Sequence, residues 1–237
     1  NPSTDLLKIY PNILFGKASL LINDGQIENA YSTLIQLLHT PYNNKVLSST
    51  LFWLGELSYK KGEINASIDY LEKYVLDPVE NGEMTIKHAK YTLAYAQLKN
   101  SNYQKALDYF AASTTMQAEN ANEAYQKDAF VRMGDCLMML KQYKKALTVY
   151  QKIIDLNWNV NDYATLQKAN IIGGMGKPKE KIALLKDFES NFNKSAYLND
   201  ARLELADTYT NQEQFQMAIA PLTQILLDKT ASEFQPI

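Results

Sequence analysis

The stretch MGDCLMMLKQYKKALTVYQKII, residues 133–154, decides the fold, because its pattern recurs along the chain. A small residue at its second position is followed twelve residues later by another small one, and large apolar residues follow four and seven residues after that. The same frame fits five other stretches: 17–38, 54–75, 93–114, 168–189 and 205–226.

The recurring small residues predict pairs of closely packed helices. The first small position holds Ala18, Gly55, Ala94, Gly134, Ala169 and Ala206. The second holds Ala30, Ser67, Ala106, Ala146 and Ala218, with Lys181 as the exception. The large position holds Leu34, Leu71, Phe110, Tyr150, Leu185 and Leu222. A small residue on each helix lets two backbones approach, and the large residue fills the gap to the next pair. Turn residues such as Gly25, Gly62 and Gly176 separate the two helices of a pair.

These positions resemble the signature of the tetratricopeptide repeat family. The resemblance implies an all-α fold, a right-handed superhelical solenoid of about six antiparallel helical hairpins, in one array over residues 1–237. The expected hairpins are 10–40, 47–77, 86–116, 126–156, 161–190 and 198–228. The first small positions lie 35 to 40 residues apart, which exceeds the family's usual repeat of about 34 residues.

Residues 192–201, FNKSAYLNDA, resemble a junction found in tetratricopeptide lipoproteins of the bacterial cell envelope, with Asn193 where that group has proline. The resemblance implies a periplasmic or outer-membrane-associated protein, and a cytoplasmic location is the alternative. It names no partner.

Composition argues against several classes of function. The net charge is −2 and no basic block is present, so a nucleic-acid-binding face is not expected. No apolar run reaches the roughly 18 residues of a membrane span. The single cysteine, Cys136, lies in an apolar stretch and is expected to be a buried hydrophobic side chain.

We expect no metal, no cofactor and no catalysis. The two histidines, His39 and His88, are far apart in sequence, and no cluster of metal-ligand residues accompanies them. The acids Glu56, Asp135 and Asp207 occur once per repeat, mostly two repeats apart. That spacing is too wide for the paired carboxylates of a glycosidase, which lie about 5 to 9.5 Å apart. A glycan-active helical toroid is therefore a remote alternative.

The resemblance implies that the first helix of each hairpin lines a concave face that binds a partner. The expected partner-binding residues are Phe52, Glu56, Tyr59, His88, Tyr91, Tyr95, Asp128, Asp135, Met138, Tyr163, Asn170, Asp200 and Asp207. Aromatic residues prevail in the N-terminal half and aspartates in the C-terminal half, which favours a protein or peptide segment with apolar and basic character. For Phe52 and Tyr91, packing between neighbouring first helices is an equal alternative.

The ends of the array raise a second hypothesis. Leu222, Ile225 and Leu226 on the last helix are expected to lack a following hairpin, whereas solenoids normally end in a polar cap. We therefore expect a piece of a longer repeat protein, or an oligomer formed through the ends. A structural spacer or self-assembly module is the alternative to a partner-binding scaffold.

Overall fold

A computed structural model describes residues 4–114 and 124–228, and within these ranges the regular structure is helical. The helices are α1 (Thr4–Asn23), α2 (Ile27–Leu38), α3 (Asn44–Lys61), α4 (Ile64–Leu76), α5 (Ile86–Lys99), α6 (Tyr103–Ser113), α7 (Ala124–Met139), α8 (Tyr143–Asp155), α9 (Asn161–Gly174), α10 (Pro178–Asn191), α11 (Leu198–Asn211) and α12 (Phe215–Leu227). The predicted all-α class is confirmed. The end of the predicted hairpin 86–116 lies outside the described residues.

The helices form two compact units, residues 1–140 and 141–237. In unit 1, α1 packs on α2, α3 on α4 and α5 on α6, and α2, α4 and α6 each pack on the helix that follows. In unit 2, α9 packs on α10 and α11 on α12, while α8 packs on α9 and α10 on α11. The first helices of successive hairpins also contact each other, namely α1 with α3, α3 with α5, α5 with α7, and α9 with α11. Unit 1 thus stacks three antiparallel hairpins followed by α7, and unit 2 stacks α8 followed by two antiparallel hairpins.

The turns between paired helices share one backbone geometry. The residue seven positions after each first small residue has a positive φ, and it is Gly25, Gly62, Ser101, Lys141, Gly176 or Glu213. At Gly62 the amide donates to the Tyr59 carbonyl, and the next amide donates to the Ser58 carbonyl. This pattern closes the end of a helix and favours glycine. The three non-glycine residues show that packing of the hairpin can impose a left-handed conformation that costs about 1–2 kcal/mol.

The small positions lie where paired helices touch. Ala18, Ala94 and Ala169 are fully buried, as are their counterparts Ala30 and Ala106. Their missing side-chain volume is what allows the helix backbones to approach.

Lys181, the exception in the fifth repeat, is accommodated by a glycine on the facing helix. A Cβ atom at Gly173 would lie 2.5 Å from Lys181 Cδ. The lysine stem therefore covers the glycine, and its ammonium group pairs with Glu204 on α11. Lysine at this position therefore keeps the two helices close together and adds an ion pair to the next helix.

The large positions fill the gaps between hairpins. Leu34 and Leu37 share a core cluster with Leu54 and Leu57 of α3, and corresponding clusters follow along each unit. On α12 the expectation of an uncovered face holds for Leu222 and Leu226, which are exposed, but it is wrong for Ile225, which is buried.

A substitution at Gly55 tests the close approach of paired helices. A Cβ atom there would lie 2.3 Å from Leu71 Cγ, and Leu71 is fully buried. We expect Gly55→Ala to lower the free energy of unfolding by about 1–3 kcal/mol, because an overpacked core must shift. Urea denaturation followed by circular dichroism measures the change.

Gly16 is the matched control, since it is an exposed residue within α1 where a Cβ atom meets nothing within 4 Å. Gly16→Ala should raise stability by about 0.5–1 kcal/mol. Equal effects of the two substitutions would contradict the packing described above.

Candidate functional site

The expected partner-binding residues all lie on first helices. Those of α3, α5 and α7 belong to unit 1, and those of α9 and α11 belong to unit 2. Because α3, α5 and α7 are neighbours, unit 1 brings its residues together on adjoining helices.

Phe52 lies in the core. Its exposed fraction is 0%, and its ring packs edge-on against Trp53 and Tyr74 at centroid distances of 5.3 and 5.2 Å. A partner cannot reach it in this conformation. The expectation that Phe52 contacts a partner is therefore wrong, and the alternative interpretation, a packing residue between first helices, is the one observed.

A hydrogen-bonded cluster, which we call the Asp128 network, joins α5 to α7. Tyr91 donates its hydroxyl hydrogen to Asp128 Oδ2 at 2.8 Å, and Tyr95 donates to the same oxygen at 2.5 Å. Arg132 Nε donates to the Tyr95 hydroxyl oxygen at 3.1 Å. Arg132 also lies 3.3 Å from Asp128 Oδ1 and 2.6 Å from Asp135 Oδ2. The network holds both tyrosine rings in fixed positions while every member stays partly exposed.

The tyrosines of the network remain protonated at neutral pH. Burial, followed by the hydrogen bond to Asp128, raises the pKa of Tyr95 to about 12. The same causes, in the same order, raise the pKa of Tyr91. Both hydroxyl groups thus keep their protons and donate them in hydrogen bonds to the Asp128 carboxylate.

Arg132 is the residue that sequence analysis missed. It occupies a position beside the expected binding strip, four residues after Asp128 and three before Asp135. These are the spacings at which opposite charges meet on one helix, so the signal was present. Its guanidinium group compensates one of the two carboxylates, and this part of the face is less acidic than the aspartates alone suggest.

Glu56 and His88 form a second feature of unit 1. Glu56 is only 8% exposed, and within the described residues its Oε1 has no hydrogen-bond partner. His88 Nε2 lies 3.7 Å from Glu56 Oε2, and the imidazole ring stacks on Tyr125 at a centroid distance of 5.8 Å. Burial raises the pKa of Glu56, and the nearby His88 opposes that rise.

In unit 2 the expected residues are less closely connected. Tyr163 packs near Tyr150 and Tyr197, at 6.4 and 5.3 Å between ring centroids. Asp200 is partly buried and Asp207 is exposed, two helical turns apart on α11. Three residues remain: Asn170 in this unit is half-buried, as are Met138 on α7 and Tyr59 on α3 of unit 1.

The described residues hold no group of three or more His, Cys, Asp or Glu side chains placed to bind a metal ion. Cys136 is fully buried, and burial raises its thiol pKa to about 12, so it is a poor nucleophile. Among the same residues, no helix is both long and apolar enough to cross a membrane.

Comparison with known proteins agrees with this architecture. Residues 128–157 match the family model of the tetratricopeptide repeat. No curated protein matches the sequence. Among solved structures, a tetratricopeptide repeat protein from Parabacteroides merdae is similar with a TM-score of 0.67 and 18% identity, over 91% of this chain and 78% of that one.

Two further solved structures show the same fold. YrrB, described as a tetratricopeptide repeat protein with an unusual peptide-binding site, is similar with a TM-score of 0.59 and 19% identity, over 85% of this chain and 94% of that one. MamA from Desulfovibrio magneticus is similar with a TM-score of 0.61 and 14% identity, over 78% of this chain and 97% of that one. The chain thus has the fold of tetratricopeptide repeat proteins, which are typically non-catalytic and bind proteins or peptides.

A double-mutant cycle tests the Asp128 network. Tyr91→Phe and Asp128→Ala each remove one partner of the 2.8 Å hydrogen bond, so we expect their effects on stability to be non-additive by about 1 kcal/mol or more. Urea denaturation of the two single variants and the double variant gives the coupling energy. The exposed pair Asp69 and Lys73, 2.7 Å apart, is the control and should couple by about 0.3–0.5 kcal/mol. Additive effects at Tyr91 and Asp128 would contradict the network.

The pH dependence of stability tests the environment of Glu56. Because its folded pKa is raised above 4.5, the native state keeps a proton that the unfolded chain has lost as pH rises through 4.5. The stability of the chain relative to Glu56→Gln should therefore fall as pH rises from 4.5, and level off above the folded pKa. Both proteins are measured with His88→Gln present, so that the imidazole does not titrate. If the chain instead became more stable relative to Glu56→Gln as pH rises, the burial of this carboxyl group would be contradicted.

Proposed function

Because the chain has the tetratricopeptide-repeat fold, we propose that it is a non-catalytic scaffold that binds a protein or peptide segment through the first helices of unit 1. The binding surface consists of the partly exposed side chains Tyr59, His88, Tyr91 and Tyr95 together with the Asp128 network. YrrB, a protein of the same fold, is described as having a peptide-binding site.

The fixed tyrosine pair carries the proposal. Tyr91 and Tyr95 pack edge to face at 5.1 Å and share one carboxylate oxygen, so little side-chain freedom remains to be lost on binding. Tyrosine offers a large apolar ring with a polar tip, a combination enriched in interfaces. A surface arranged in this way before binding suits a segment that is itself flexible.

The partner we propose carries apolar and basic side chains. The network contains two carboxylates, Asp128 and Asp135, and one guanidinium, Arg132, so acidic groups outnumber basic groups among its own side chains. The partly exposed tyrosine rings attract cations through their faces. An acidic segment would meet neither the charge nor the rings favourably.

A non-enzymatic role is supported by the candidate groups themselves. Cys136 is buried with a raised thiol pKa, and Asp128 and Asp135 are each held by Arg132. A helical-toroid enzyme would instead need a pair of carboxylates free to act on one substrate.

We also propose a bacterial cell-envelope location, which rests on the sequence of residues 192–201 alone.

Binding of labelled peptides tests the proposed surface. We expect a fluorescein-labelled ten-residue peptide of alternating leucine and lysine to bind, as measured by fluorescence anisotropy, and its leucine–glutamate counterpart to bind at least tenfold more weakly. Tyr59→Ala should reduce affinity for the basic peptide at least tenfold, the effect of losing an aromatic contact residue. Rising salt should weaken binding as well.

Tyr143→Ala is the matched control, because Tyr143 is an exposed tyrosine on α8, outside the proposed surface. Its affinity should equal that of the unchanged protein. Equal binding of both peptides, or equal losses from Tyr59→Ala and Tyr143→Ala, would overturn the proposal.

A further inference from the structure

Every interior first helix is covered at the same two positions, five residues before and two residues after its small residue. These positions are Thr50 and Leu57, Ala89 and Ala96, Ala129 and Cys136, Ala164 and Ile171, and Ala201 and Thr208. All are buried. Where these residues belong to a core cluster, they pack with the preceding second helix, as Ala129 and Cys136 of α7 do with Phe110 of α6. These two positions thus mark the interface between successive hairpins.

On α1 the same two positions are large, apolar and uncovered. They hold Ile13 and Leu20, whose exposed fractions are 61% and 66%. Ile9, one turn before Ile13, is also exposed. The spacing of Ile9, Ile13 and Leu20 places them along one side of the helix. We call this strip the α1 face.

On α12 the complementary surface is uncovered. The large position, fully or almost fully buried in the preceding second helices, holds Leu222 with an exposed fraction of 41%. Ile219 and Leu226, one turn to either side, are 53% and 52% exposed. The 13 residues of α12 include no charged side chain. We call these three residues the α12 face.

We propose that copies of this chain associate end to end, with the α12 face of one copy covering the α1 face of the next. The occupant is argued from the repeat itself, since α2 and α3, α4 and α5, α6 and α7, α8 and α9, and α10 and α11 are all in contact. In four of these pairs, all except α8 and α9, the large position of the second helix shares a core cluster with an equivalent position of the next first helix. Each exposed face is the partner that the other lacks. Exposed apolar surfaces of this kind mark association sites.

The contact joins two different faces, so every open complex still has one uncovered α1 face and one uncovered α12 face. Such heterologous association extends into chains unless it closes into a ring. Continued growth distinguishes this association from a symmetric dimer, in which each face contacts the same face of the other copy. The two faces lie on α1 and α12, so they share no residue with the proposed peptide-binding surface on α3, α5 and α7.

Sedimentation velocity of the full chain over a range of concentrations tests the association. We expect the mean mass to rise with concentration. Ile13→Asp blocks the α1 face and Leu222→Asp blocks the α12 face, so each variant alone should be monomeric. An equimolar mixture should form a complex of two chains and nothing larger, because only one open pair of complementary faces remains. Formation of that complex also shows that both variants are folded.

Leu76→Asp is the matched control, because Leu76 is a strongly exposed leucine on α4, outside both faces. It should associate like the unchanged chain. A full chain that stays monomeric at all concentrations overturns the proposal, as does a mixture of the two blocked variants that stays monomeric. Loss of association with Leu76→Asp would equally contradict it, since the contact would then not be confined to these faces.

Discussion

The structure depends on how closely two helices of a hairpin approach each other. At Gly55 a single added carbon would lie 2.3 Å from Leu71, which means that the facing helix uses the space of an absent side chain. The same Leu71 packs in a cluster with Ala89 and Leu93 of the next first helix. One residue therefore closes its own hairpin and joins it to the next. Repeating this arrangement builds each unit, because every hairpin has apolar faces that only its neighbours can cover.

The fold was predictable because its constraints recur. A position that must be small in one hairpin must be small in all, so six weak signals combine into a strong one. The exceptions to the repeat depend on neighbouring residues, which a comparison of equivalent positions does not reveal. Lys181 is tolerated because Gly173 faces it, and Ser101, Lys141 and Glu213 take a left-handed conformation because the surrounding hairpin imposes it.

The candidate site was less predictable, because it depends on which side of a helix faces the neighbouring one. Sequence placed Tyr91, Tyr95 and Asp128 on one surface, and both tyrosine hydroxyl groups donate to the same Asp128 oxygen. It did not show that Phe52 turns into the core, since its alternative role was equally compatible with the spacing. Arg132 lies outside the column of positions that faces the binding strip, and its long side chain reaches Tyr95 and Asp135 from beside it. Charge on a helical surface is therefore a property of neighbouring positions at spacings of three and four, not of a single column.

Native-state hydrogen exchange followed by mass spectrometry most directly tests the claim that each hairpin is held by its neighbours. At a concentration where the chain is monomeric, the amides of α1 and α12 should exchange through openings of lower free energy than those of α4 and α10, which are covered by helices on both sides. The gradient should follow the number of covered faces, not the sequence of the helix. Equal protection of α1, α4, α10 and α12 would show that contacts between hairpins do not govern stability, and would contradict this account.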